Sequence, residues 1–194
     1  MVDIRDEVTR TAESYDHDFS HARNVAELSE SIFDLTTELH GLGQEEKEIL
    51  TYAALLHDIG WSGGQTRHHK RSFELIHANP PRGLTPRQTL MIANIARYHR
   101  KGLPKLSHTG FSMLKAHDRE TVRKLSALIR IADGLDALHD AECHVVDFRV
   151  AGTKAVFVLQ SEHDCRVEIE SAKEKADLFR EVFDLEARFD VLGK

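Results

Sequence analysis

Apolar residues recur three, four and seven positions apart over most of the first 140 residues, the period of amphipathic helices. Val25, Leu28, Ile32, Leu35 and Leu39 form one stripe and predict a helix over 20–39, with Ser20 as its N-cap. Gly41 and Gly43 end it. A second helix is expected over 45–58, with Leu and Ala inward and Glu and Lys outward, broken by the loop Gly60-Trp61-Ser62-Gly63-Gly64. A short helix follows at 68–77, then a turn at Asn79-Pro80-Pro81 and Gly83. Thr85-Pro86 opens the next helix, since Pro suits a first turn; it runs to His99, and Gly102 and Pro104 stop it. One or two turns are expected over 110–116 and a long helix over 119–138. Residues 2–14 form a short helix at the start.

The period then changes. Segments 144–150, 154–160 and 165–170 are rich in Val, Phe and Ile, with a turn signal at Ala151-Gly152-Thr153. They predict an antiparallel meander, followed by a helix over 171–190 with Ala176, Phe179, Val182 and Phe183 inward. The fold class is therefore mainly α: a helical domain over 1–140 and a small β-plus-α extension over 141–194. A three-stranded sheet of this size is marginal alone, so the extension should pack on the bundle.

Four ionisable groups interrupt the stripes. His21 heads the first one. His57 ends the run Leu50, Ala53, and Asp58 lies one turn after Ala54 and Leu55. Asp133 follows Val122, Leu125 and Ile129. A buried, unpaired His or Asp is costly, and one bound cation offsets that cost for all of them. His21, His57, Asp58 and Asp133 are thus candidate metal ligands. Imidazole with carboxylate suits a divalent ion such as Mn, Fe, Ni, Co, Zn or Mg, and no thiolate joins the set.

The chain has 194 residues and a net charge of −6, unevenly spread. Residues 1–48 hold 13 acids against 4 Lys/Arg, while residues 65–105 hold 9 Lys/Arg against Glu74 alone. An acidic chain is ill suited to broad nucleic-acid binding. A local basic segment reads better as an anion pocket, and a solvated charged face is the plain alternative. Lys70, Arg71, Arg100 and Lys101 are its candidate contacts. Arg67, Arg82 and Arg87 are assigned to the surface; Arg23 is less placed. No apolar run nears the roughly 20 residues that span a membrane. Met1–Ser14 lacks the apolar core of a signal peptide. Cys143 and Cys165 are expected to be reduced thiols in a cytoplasmic protein.

The order His21, then Leu56-His57-Asp58-Ile59-Gly60, then Ile131-Ala132-Asp133 resembles the HD superfamily of metal-dependent phosphohydrolases. The phrases HHKRSFELI, IANIARYHRKGLP and ALIRIADGLDALH are similar to the C-terminal HD domain of the exopolyphosphatase and guanosine-pentaphosphate phosphatase family, over about residues 18–190. The resemblance implies an HD-type bundle, a divalent metal and phosphohydrolase chemistry. Those longer enzymes carry catalysis on actin-like domains ahead of the HD module, for which this chain is expected to have no room. Its intact ligand set then implies hydrolase activity of its own, with Asp58 bridging to a second ion or orienting the attacking water. Some HD proteins hold two metals, with extra histidines after the His-Asp pair. His69 and His99 match that placement, and His68 competes with His69.

The substrate is expected to be a phosphorylated small molecule, nucleotide or polyphosphate-type anion, with one or two ions per chain and room for a homodimer. The alternative is a non-catalytic anion or nucleotide module, or a subunit for a separate actin-like partner. Guanosine-alarmone hydrolysis is disfavoured because the acidic pair such enzymes carry between the His-Asp and the distal Asp is not evident; only Glu74 is acidic in residues 65–105. Cyclic-dinucleotide phosphodiesterase is disfavoured because Arg100-Lys101-Gly102-Leu103-Pro104 lacks the Tyr of that branch. Trp61 is expected to pack over the bundle mouth rather than stack on a base. His108 is a cleft or loop residue. His17, His40, His77, His117, His139, His144 and His163 are assigned to surface or capping roles.

Overall fold

The computed structural model describes residues 3–15, 18–64 and 66–192; His17 lies outside them. Helix α1 spans Ile4–Tyr15, α2 Phe19–Leu35, α3 Thr37–His40 and α4 Gln44–Leu56. A 3-10 turn at Ile59–Gly63 leads to α5 (His68–Ala78) and α6 (Pro86–Tyr98). A short α7 (Thr109–Ser112) precedes the long α8 (Ala116–Gly134). The N-cap of α2 is Asp18, not Ser20: its carboxylate accepts from the His21 N–H. The α8 pattern stops at Gly134, four residues short of the expected end. The packed centre is α2 against α4 and α8, with α6 between α4 and α8 and α5 lying on α6. Leu50, Ile92, Leu125 and Ile129 are wholly buried there.

The end of the chain differs from the expected meander. Strands β1 (His144–Ala151) and β2 (Lys154–Gln160) pair antiparallel, with Phe148 opposite Phe157. Residues 165–170 begin a helix, α9 (Arg166–Lys175), followed by α10 (Asp177–Phe183). The third strand is β3 (Glu186–Val191), and it runs parallel to β2. The cause is a contest of periods. Val167 and Ile169 alternate as in a strand, but Cys165, Ile169, Ala172 and Ala176 follow the helical spacing over a longer window. Conversely, Ala187, Phe189 and Val191 alternate within what reads as helix. A parallel pairing needs a crossover of a dozen or more residues, and α9 with α10 supplies it. Strand β2 is central, and its run Ala155–Leu159 is buried throughout, as for a strand covered on both faces.

Helices α9 and α10 pack on α8. The closest approach is at Gly134, where a Cβ would lie 2.4 Å from the Ala172 Cα; only glycine leaves room. Cys143 and Cys165 are joined as a disulfide, so the reduced-thiol expectation is corrected. The β1–β2 hairpin and the start of α9 bring together two thiols 22 residues apart in sequence, and the thiols no longer support a cytoplasmic setting. Among the described residues, no helix is long and apolar enough to cross a membrane.

Candidate metal centre

Three helix ends converge on one buried cluster. His57 is the first residue after α4, His99 the first after α6, and Asp133 lies in the last turn of α8. A helix C-terminus carries a partial negative charge and favours a cation. His57 Nδ1 lies 2.7 Å from the Ala54 carbonyl, and His99 Nδ1 lies 2.7 Å from the Ala96 carbonyl. A carbonyl oxygen only accepts, so both Nδ1 atoms carry the proton and both Nε2 atoms present a lone pair. His21, in the first turn of α2, has Nδ1 2.6 Å from Asp136 Oδ2 and Nε2 3.5 Å from Asp133 Oδ1. A carboxylate or carbonyl behind each imidazole is the usual support of a metal-binding histidine.

Among the described residues, two candidate ligand groups result. His21, His57 and Asp133 form one; His57, Asp58 and His99 form the other; each has its ligand atoms within 4.8 Å of one another. His57 is common to both, and Asp58 lies in the second group, between His57 and His99. Its Oδ2 is 3.4 Å from His57 Nε2, and its Oδ1 is 3.6 Å from His99 Nε2. His68 joins this second group: its Nε2 lies 3.2 Å from Asp58 Oδ1 and 3.4 Å from His99 Nε2. His69 does not; its ring is 5.9 Å from that of His68, and it lines a separate cavity. Trp61 stacks on His68 with centroids 4.8 Å apart, covering the cluster as packing.

The donor set fits a divalent ion. His57 Nε2 and Asp58 Oδ1 are buried and in no hydrogen bond, although ring nitrogens stand close to the Asp58 oxygen. Burial pushes the His99 imidazole down to about 3, which keeps it neutral and able to ligate. Burial would raise the Asp133 carboxyl, but the Lys175 ammonium and the His21 hydrogen bond hold it well below the ordinary carboxylate range. Burial would raise Asp58 too, but the imidazoles of His57, His99 and His68 together hold it below the ordinary carboxylate value. Burial opposes a proton on His21, yet Asp133 and Asp136 raise it to about 10.

The loop after α4 is fixed by Ser72. Its hydroxyl donates to the His57 carbonyl at 2.6 Å and accepts from the Gly60 N–H at 3.0 Å. A Cβ on Gly60 would lie 2.2 Å from the His68 carbonyl, so glycine permits the approach that sets Asp58 against His68. Arg71 serves the same loop: its guanidinium donates to the Gly60 and Thr66 carbonyls at 2.8 and 2.7 Å.

The other basic residues divide. Lys70 and Lys101 line a cavity of about 300 Å³ with Arg67, Arg97, His69 and His108. No acid lines it, and the Lys70 and Lys101 ammoniums pair with no carboxylate among the described residues. Arg67 and Lys101 have φ of 63° and 58°, a conformation that L residues seldom adopt and that clusters at functional sites. Arg67 is exposed, as the sequence assigns it, and also lines this cavity. Arg100 is half-buried and does not line the cavity, but with Lys101 and Lys70 its charge adds to burial and His68 in pushing His69 down to about 4. Arg87 pairs with Asp118 and Glu45. Arg23 is exposed.

A sequence model of the family described as Ppx/GppA phosphatase, domain III, matches residues 4–181. The chain belongs to this family. The match runs from α1 into α10 and so takes in every candidate ligand. It bears out the resemblance to the C-terminal domain of exopolyphosphatase and makes this an exopolyphosphatase-related protein with buried candidate metal ligands.

Sequence reasoning misses three groups at the centre. Asp136 lies three residues after Asp133, a spacing that could have signalled it. His139 is exposed and bonds to the N-cap Asp18, in keeping with a surface or capping role, but its ring also stacks on His21 with centroids 3.7 Å apart. Lys175 Nζ, from α9, lies 2.7 Å from Asp133 Oδ2, and no sequence signal marks it.

Proposed function

We propose that this domain is a metal-dependent phosphohydrolase acting on a phosphorylated anion: a small phosphorylated metabolite, a nucleotide or a polyphosphate-type chain. The observation that carries the reading is the pair of buried His/Asp groups sharing His57, with His57 Nε2 and Asp58 Oδ1 left without hydrogen bonds. His21, His57, Asp58 and Asp133 would hold one ion; Asp58 with His99 and His68 would hold a second. His69, expected as a ligand, is better suited to the cavity. A bound divalent ion supplies Lewis acidity toward a phosphoryl oxygen and acidifies bound water. Lys70 and Lys101, with Arg67 and Arg97, neutralise non-bridging oxygens. Residues 1–140 carry the centre in this reading, and the helices of 141–194 pack against α8, with Ala172 on Gly134.

The test is phosphate release from a panel of phosphorylated anions by protein purified without chelator, before and after metal removal. Metal-dependent release supports the reading. Metal and anion binding without turnover of any substrate supports a second reading, a regulatory or anion-binding module. The match to one domain of a phosphatase family favours that second reading.

A further inference from the structure

We infer that Lys175 is a tethered cation that competes with the metal for Asp133, so that loading the centre releases this lysine. The inference rests on the metal reading above. Lys175 Nζ lies 2.7 Å from Asp133 Oδ2 and 3.4 Å from the Asp133 carbonyl. Its placement is built into the fold. Buried Arg130 donates from Nε to the Lys175 carbonyl at 2.8 Å and from Nη2 to Asp177 Oδ1 at 2.6 Å, which fixes the α9–α10 junction. The tight contact of Ala172 on Gly134 sets the same helix against the end of α8.

Charge decides the direction of the effect. Asp133 Oδ1 faces His21 and His57, while Oδ2 faces Lys175. An ion on this carboxylate shares it with the ammonium, and two cations on one buried carboxylate repel strongly in a low dielectric. The lysine also has an exit. Its side chain is 25% exposed against 9% for Asp133, and its four-carbon stem is flexible. Its backbone can stay docked through Arg130 while the ammonium turns to solvent. Metal occupancy and the packing of the C-terminal segment are then thermodynamically linked.

The test uses the full chain stripped of metal and titrated with Mn²⁺ by calorimetry. Lys175→Met should bind Mn²⁺ about tenfold tighter or more, and Lys175→Gln should do the same, while Lys175→Arg stays at or below the wild-type affinity. In the wild-type protein, acetylation of Lys175, read by peptide mass spectrometry, should speed up when Mn²⁺ is added. This second measurement needs no variant to fold. Unchanged or weaker Mn²⁺ binding by both Lys175→Met and Lys175→Gln would overturn the inference, as would acetylation that Mn²⁺ leaves unchanged or slows. If neither wild type nor variants bind Mn²⁺, the metal reading itself fails, and the inference falls with it.

Discussion

His21 and Asp136 form a buried pair, with Nδ1 2.6 Å from Oδ2 and both side chains almost fully enclosed. The carboxylate fixes the ring so that Nε2 faces Asp133, and it raises the basicity of the nitrogen proposed to ligate the metal. Asp136→Asn keeps the shape and removes the charge. Metal affinity should fall about 10–100-fold, the usual effect of losing a carboxylate behind a ligating histidine. Calorimetric titration with Mn²⁺ measures it; an affinity within twofold of wild type would show that Asp136 does not support a ligand.

The turn after α4 depends on Gly60 and Ser72. Gly60→Ala drives a methyl group into the His68 carbonyl and should cost about 1–3 kcal/mol or more. Ser72→Ala leaves the Gly60 N–H without its acceptor and should cost about 1–3 kcal/mol. Urea unfolding of the metal-free protein reads both. Midpoints unchanged from wild type would mean that the turn is looser than described.

Lys70 and Lys101 differ from Arg71 in what they touch, and reversing them should have different effects. Lys101→Glu and Lys70→Glu place a negative charge in a cavity that four Lys and Arg side chains and no acid line. The Michaelis constant for phosphate release should rise at least about tenfold with metal content unchanged. Arg71→Glu instead breaks the bonds to Gly60 and Thr66, and it should lower the urea midpoint. Unchanged kinetics in both lysine variants would make the cavity a solvated surface.

His40 gives a pH dependence remote from the metal centre. Its Nε2–H donates to the Phe33 carbonyl at 2.8 Å, and its Nδ1 accepts from the Leu42 N–H at 2.9 Å, a pattern only the neutral ring can make. Burial, with Lys124 adding to it, lowers its pKa from the ordinary 6.5. A group whose folded pKa is depressed stabilises fully above its unfolded value, and that contribution is lost as pH falls toward the folded one. Stability should therefore decline below about pH 6.5 more steeply in wild type than in His40→Gln. Urea midpoints at pH 7.5, 6.5 and 5.5 compare them; parallel declines would exclude His40.

Most of the centre is legible in the sequence because a helix makes polar intrusions visible. His21, His57 and Asp133 each break an apolar stripe, and Asp58 follows one. The choice between His68 and His69 is not legible. Both begin α5 and both are buried, and only their packing shows that His68 is the one against Asp58 and His99. Lys175 is hidden for another reason. It ends a helix whose first half also alternates like a strand, and its partner lies 42 residues away. The parallel β3 is hidden because its short alternation follows directly on a helical pattern.

The most direct test exploits His57, the residue common to both ligand groups. Protein purified without chelator or affinity tag is analysed for bound metals, in wild-type form and as His57→Ala. Wild type should carry one or two divalent ions per chain, and His57→Ala should lose them together with any phosphate release. A metal-free wild type that takes up no added Mn²⁺, or a His57→Ala protein that keeps the wild-type metal count, would contradict the account.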